Sequence, residues 1–146
     1  MQWSGLCLCQ NTEQILNKMY KNDINGLGGN DDCGQMSAWY LFSVMGFYPV
    51  CPGTDQYVLG APYLPYLKMT LPNGKTLEIK APGVSDKKRY VQSLKLNGKV
   101  YDKMYITHED ILKGGVLEFK MGASPNKRRG LSPEDKPYSL TNGINE

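Results

Sequence analysis

Two Asn-Gly steps, at Asn73-Gly74 and Asn97-Gly98, each stand between stretches that alternate apolar and polar residues. Asn-Gly accepts the positive backbone angles of a tight hairpin turn, and alternation with a period of two places every second side chain on one face of a sheet. Residues 66–71 and 76–80 therefore read as one hairpin, and residues 91–96 and 99–105 as a second. A further strand follows at 116–121, where Leu117, Phe119 and Met121 alternate with Glu118 and Lys120. Between them, Thr107-His108-Glu109-Asp110 resembles a capping box for one short helical turn, with Asp at N3, closed by Gly114-Gly115. From Gly122 onward Pro, Asn, Lys and Arg predominate, which predicts an irregular strap over the surface.

The pattern before Pro49 is different. Ile15, Leu16 and Met19 are helically spaced in residues 11–20, with Asn11 or Thr12 available as cap. The stretch KNDINGLGGN then interrupts any regular element. A second helix is expected from about residue 34 to 45, with Ala38, Leu41, Phe42 and Met45 on one face, and Trp39 and Tyr40 widening it. Gly46 and Pro49 end it. The fold class is α+β: two helices, then an antiparallel layer best buried as a two-sheet sandwich. The helices carry more apolar surface than that layer can cover, so the N-terminal segment reads as part of something larger.

Composition narrows the function classes. A chain of 146 residues, 40% of them hydrophobic, supports one ordinary core. The net charge of +3 is too small to point to nucleic acid, and no RNA-binding signature occurs. Lys87-Lys88-Arg89 and Lys127-Arg128-Arg129 read as solvated loops. No apolar run reaches a membrane span, and no charged start with an apolar stretch marks a signal peptide. Cys7, Cys9, Cys33 and Cys51 are too sparse for a disulfide scaffold, and with a single histidine they make no zinc site; buried free thiols are expected. His108 has no evident triad or metal partner and reads as a local structural residue.

Asp31 and Asp32 stand behind Gly26, Gly28 and Gly29 and in front of the second helix. One reading makes Asp32 the N-cap, with Gln35 at N3 of a variant capping box, and Asp31 a solvent-facing neighbour. The other makes the turn a device that presents a carboxylate. The two are compatible, since the positive helix end stabilises an ionised carboxylate and a general base must be ionised and aimed. Trp3, Trp39, Tyr40 and Tyr48 offer surface for a sugar ring or for a core. Adjacent Cα atoms lie about 3.8 Å apart, whereas an inverting glycosidase holds its acid and base roughly 6.5–9.5 Å apart. The turn could supply the base of such an enzyme, with the acid coming from elsewhere.

Residues 29–40, GNDDCGQMSAWY, followed by MGFYPV at 45–50, resemble the signature of glycoside hydrolase family 92. The likeness continues through PVCPGTDQYVLGAP, SLKLNG, YITHEDILKGG and LEFKMGASPNKRRG, covering residues from about 11 to 140. It implies an inverting, calcium-dependent exo-α-mannosidase acting on terminal α-1,2-linked mannose of N-glycans. Asp32 corresponds to the family's general base. Some members have an Asp two residues earlier, where this chain has Asn30; Asp31 is the secondary candidate. Asn30 and Gln35 match the motif as substrate-binding candidates.

The resemblance implies that residues 1–47 are the last helices of an (α/α)6 barrel and residues 48–146 the β region after it. The general-acid glutamate and the Ca2+ ligands would lie in an N-terminal portion outside this chain, so the chain alone is expected to be inactive. Members are generally exported to the periplasm or cell surface. MQWSGLCLCQ fits the family poorly, as if Met1 were an internal start. A non-catalytic carbohydrate-binding β module is the alternative reading, and a structural domain whose Asp turn is only a cap is the third.

Overall fold

The computed structural model describes residues 5–140, with side chains from residue 11 onward. Trp3 and the side chains of Cys7 and Cys9 lie outside the described residues.

Helix α1 spans Gly5–Met19. It begins earlier than the cap at Asn11 or Thr12 would allow, because no Pro or Gly interrupts residues 6–19 and Asn and Thr cost little inside a helix. Past Met19 the chain closes a tight loop in which Lys21 N donates to Gly26 O at 2.9 Å and Gly26 N to Asp23 O at 3.0 Å. A Cβ on Gly26 would lie 2.0 Å from Lys21 O, so only glycine fits there.

Helix α2, Gln35–Met45, ends at Gly46 in the left-handed conformation, whose N–H reaches Phe42 O and Ser43 O. Its burial departs from the expected face. Ser43, Val44 and Met45 are buried, whereas Ala38 and Leu41 are exposed, Leu41 to 59%. Only the last turn of α2 meets the β layer; on the turns before it Tyr20 covers Trp39 and Tyr40 in part, and Leu41 is left open.

Eight strands follow: β1 Phe47–Tyr48, β2 Gln56–Leu59, β3 Tyr66–Thr70, β4 Thr76–Lys80, β5 Tyr90–Leu96, β6 Lys99–Val100, β7 Tyr105–Thr107 and β8 Gly115–Gly122. Both Asn-Gly hairpins form. Asn97 and Gly98 take φ of 52° and 78°, and β3 pairs β4 from Tyr66 opposite Lys80 to Thr70 opposite Thr76. The strands make two sheets, ordered β1-β2-β7 and β3-β4-β8-β5-β6.

Two strand expectations are corrected. The strand expected over 99–105 breaks after Val100: Tyr101 N still donates to Leu94 O, but Met104 O already accepts from Leu59 N in the other sheet. Residues 101–104 are thus the crossing between the sheets. The layer is also not wholly antiparallel, since β4 and β8 run parallel, Leu77 opposite Gly115 and Lys80 opposite Glu118.

One core joins both sheets. Leu77, Ile79, Leu94 and Leu117 of the larger sheet and Ile106 of the smaller are each less than 2% exposed, and Met45 and Ile111 close the cluster. Burying each such aliphatic side chain stabilises the fold by roughly 1.5–3 kcal/mol.

Helix α3, His108–Lys113, is capped by Thr107, whose side chain accepts from Asp110 N at 3.1 Å. Only half of the capping box forms, as the Asp110 carboxylate lies 3.4 Å from Lys113 Nζ instead. His108 lies with its Nδ1 3.1 Å from the Tyr57 hydroxyl, and the rings stack.

The C-terminal strap forms, with one 3-10 turn at Pro133–Asp135. Gln92 Nε2 donates to Ser124 O, Asn126 Nδ2 to Gln92 O, and Met104 N to Asp135 O.

The basic clusters are not simply solvated. Arg89 packs at 18% exposure between Asp86 and Glu13 of α1, and Arg129 donates from Nη2 to Lys103 O at 2.8 Å. Burial pulls the Arg129 guanidinium below its usual pKa, with Asp102 and Asp135 acting in the opposite sense. The cysteine expectation also needs correction: Cys33 is exposed and Cys51 half-buried, though both are free.

Candidate active site

The aspartate turn is built from three successive left-handed residues, Asp32 at φ 47°, Cys33 at φ 60° and Gly34 at φ 93°. For the two non-glycine residues this conformation costs about 1–2 kcal/mol each, so the surroundings must hold it.

The orphan amides at the start of α2 show how. Gln35 N donates to Asp32 O at 3.4 Å, and Met36 N to Asp31 O at 3.3 Å. Ser37 donates twice to Asp31 Oδ1, from N at 2.8 Å and from Oγ at 3.0 Å. Three of the four free N–H groups of a helix start are thereby satisfied.

This corrects the capping assignment. Gly34 occupies the N-cap position without a side-chain bond, and the Asp32 and Gln35 capping box does not form. The left-handed run turns the chain so that Asp31, not Asp32, reaches the N3 amide. Asp31 is half-buried, while Asn30, Asp32 and Gln35 are exposed. Among the described residues the Asp32 carboxylate has no hydrogen bond or ion pair, and it stays available to solvent.

An aromatic wall adjoins the turn. Tyr20 stacks on Trp39 with ring centroids 5.7 Å apart, tilts against Tyr40 at 5.0 Å, and donates its hydroxyl to Met36 O. Burial raises the Tyr20 pKa, with further upward contributions from Asp31 and Tyr48. Tyr48 instead packs edge-on against Phe42. Ser37 and Tyr20 escaped the sequence reading. Ser37 had a weak signal, as a hydroxyl in the first turn of a helix behind two aspartates; Tyr20 had none, because its contact with Trp39 spans the irregular loop.

A cleft between α1 and the β layer, bordered by Thr12, Leu16, Ser43, Tyr48, Tyr63 and Arg89, does not include residues 30–35. Among the described residues no group of three or more His, Cys, Asp or Glu converges. Calcium takes six to eight oxygen ligands, and the turn, with two carboxylates of which one is engaged by Ser37, does not assemble such a shell.

The family model described as the glycosyl hydrolase family 92 catalytic domain matches residues 9–123, a stretch that contains the turn and most of the β layer. The chain belongs to this family. A solved family 92 α-mannosidase from Bacteroides thetaiotaomicron, in complex with mannoimidazole, is 42% identical with a TM-score of 0.86, the match covering 93% of this chain and 18% of that one. A family 92 inverting mannosidase from the same bacterium is 36% identical with a TM-score of 0.84, over 94% of this chain and 19% of that chain. An uncharacterized secreted glycosidase of Arthroderma benhamiae is 34% identical over 128 residues, 86% of this chain and 16% of the relative. The chain thus spans less than a fifth of the length of these relatives, and its mixed α and β architecture with antiparallel sheets matches that part of the solved structures. Among the described residues no helix is long and apolar enough to cross a membrane.

Proposed function

We propose that this chain is the base-bearing part of an inverting exo-α-mannosidase that removes terminal α-1,2-linked mannose from N-glycans. The observation that carries the reading is the Asp32 carboxylate, unpartnered on a braced left-handed turn, inside the family match. As general base, Asp32 accepts a proton from water while the water oxygen attacks the anomeric carbon. The leaving oxygen takes its proton from an acid on the opposite side of the bond. Inversion requires the two groups roughly 6.5–9.5 Å apart, which Asp31 cannot satisfy, so the acid belongs to the remainder of the catalytic domain. Asn30 and Gln35, exposed on either side of the aspartates, are the substrate-binding candidates of this reading.

Residues 1–47 are assigned to the last helices of an (α/α)6 barrel, residues 48–146 to the β region behind it. The exposed face of α2 supports this division, since barrel helices have neighbours on both flanks. Calcium, implied by family membership, is assigned to ligands in the remainder. Export to the periplasm or cell surface is inferred from the fungal relative, which is named as secreted.

The test is turnover of α-1,2-mannobiose. The isolated chain is expected to release no mannose, with or without calcium. The full chain grafted into the Bacteroides mannosidase in place of the aligned stretch is expected to release β-mannose first, read by proton NMR. Turnover by the isolated chain, or retention of configuration by the graft, would contradict the proposal. Saturable mannose binding to the isolated chain without turnover in the graft would favour a carbohydrate-binding module.

A further inference from the structure

Asp31 and Ser37 form a pair that the general-base reading leaves without a role, and we propose that they are the positioning residues for Asp32. The inference rests on the reading of Asp32 as the base. Asp31 is tied to α2 at both ends: its carbonyl accepts from Met36 N at 3.3 Å, and its Oδ1 accepts from both the amide and the hydroxyl of Ser37, at 2.8 and 3.0 Å. Asp32 has the opposite character. Its backbone is left-handed, and its carboxylate is bound to nothing among the described residues. An L residue in that region returns to an ordinary conformation unless its neighbours hold it. The brace on one side of Asp32 is Asp31 anchored on Ser37; beyond Cys33 on the other, Gly34 O accepts from Ala38 N at 2.8 Å. The two adjacent carboxylates therefore divide the work. One accepts hydrogen bonds and fixes the turn, while the other stays open to a water molecule.

This assignment separates hydrogen-bond acceptance from proton transfer, and Asp31→Asn separates them experimentally. Asparagine keeps the Oδ1 acceptor but cannot act as a base. In the grafted mannosidase, Asp31→Asn is expected to keep kcat within about threefold of the parent, and Asp31→Ala to lose about ten- to a hundredfold in kcat with KM little changed, as a misaimed group does. Ser37→Ala, which loses one of the two donors, should fall between them, and Ser37→Thr should restore the parent value. If Asp31→Asn falls as far as Asp32→Asn, Asp31 takes part in the chemistry and the proposal is overturned. If Asp31→Ala lowers only the melting temperature and leaves kcat intact, Asp31 is merely a helix cap, which also overturns it. Full activity of Asp32→Asn would instead remove the general-base reading. A measurement independent of turnover uses the full chain alone: hydrogen exchange at the Ser37 amide should stay slow in Asp31→Asn and quicken in Asp31→Ala. Equal exchange in the two variants would refute the anchoring itself.

Discussion

Tyr101 lies where the chain leaves one sheet for the other, and its hydroxyl donates to Tyr105 O at 3.0 Å. Burial pushes its pKa up to about 12, with Asp110 and Tyr105 adding to the rise and Arg129 opposing it. Because the folded value exceeds the ordinary value of 10.0, the folded state holds the proton more tightly than the unfolded chain. Tyr101 therefore leaves stability independent of pH below about 10 and lowers it as pH rises from there through about 12. Denaturant titrations at stepped pH should show this loss, and Tyr101→Phe should flatten it while forfeiting the hydrogen bond. A slope unchanged in Tyr101→Phe would place the titration elsewhere. Residue-scale features were legible where the chemistry is local. Thr107 caps α3 as its spacing predicts, and Gly46 ends α2. The capping partner at the aspartate turn was not legible, because two neighbouring aspartates are chemically alike and only the left-handed run at 32–34 decides which reaches the helix. Asp31 emerged as the acceptor for the Ser37 amide for that reason.

The elements divide into those set by neighbouring residues and those set at a distance. Hairpins closed by Asn-Gly need only a few residues to be specified, and both formed. The break at residue 101 and the parallel pairing of β4 with β8 depend on strands far apart in sequence, which period-two alternation does not encode. Helix α1 is another long-range case. It is fastened to the β layer by Glu13, ion-paired with Arg89, and by Asn17, whose Oδ1 accepts from the Tyr63 hydroxyl at 2.6 Å. Leu16 is its buried apolar contact among the described residues. Arg89 and Glu13 are each less than a fifth exposed, so removing one leaves its partner poorly solvated. Arg89→Ala is expected to raise hydrogen exchange across α1 several-fold while the amides of β4 and β8 keep their protection. Uniform loosening of helix and sheet would show that α1 is held by the core and not by the clamp.

At the scale of the whole molecule, the β layer is a closed core and the helical part is not. Leu41 at 59% exposure, Val50 at 49%, Met19 at 45% and Tyr40 at 36% leave apolar surface around α2 that water meets directly. Such patches drive association unless covered, and the solved family 92 relatives are more than five times longer than the stretch matched here. Leu41→Lys in the isolated chain should reduce self-association in sedimentation without lowering the melting temperature, since the side chain contributes little to the described core. A fall in melting temperature would mean that Leu41 already packs inside the fold. The excess of apolar helix surface was visible in the sequence, and among the described residues Leu41 and Val50 remain uncovered. The central claim concerns one carboxylate, and the most direct measurement is kcat for Asp32→Asn in the grafted mannosidase, with circular dichroism to verify folding. Loss of the general base predicts a fall of about 10²–10⁴-fold with the fold intact; a variant that stays folded and turns over at the parent rate would contradict the account.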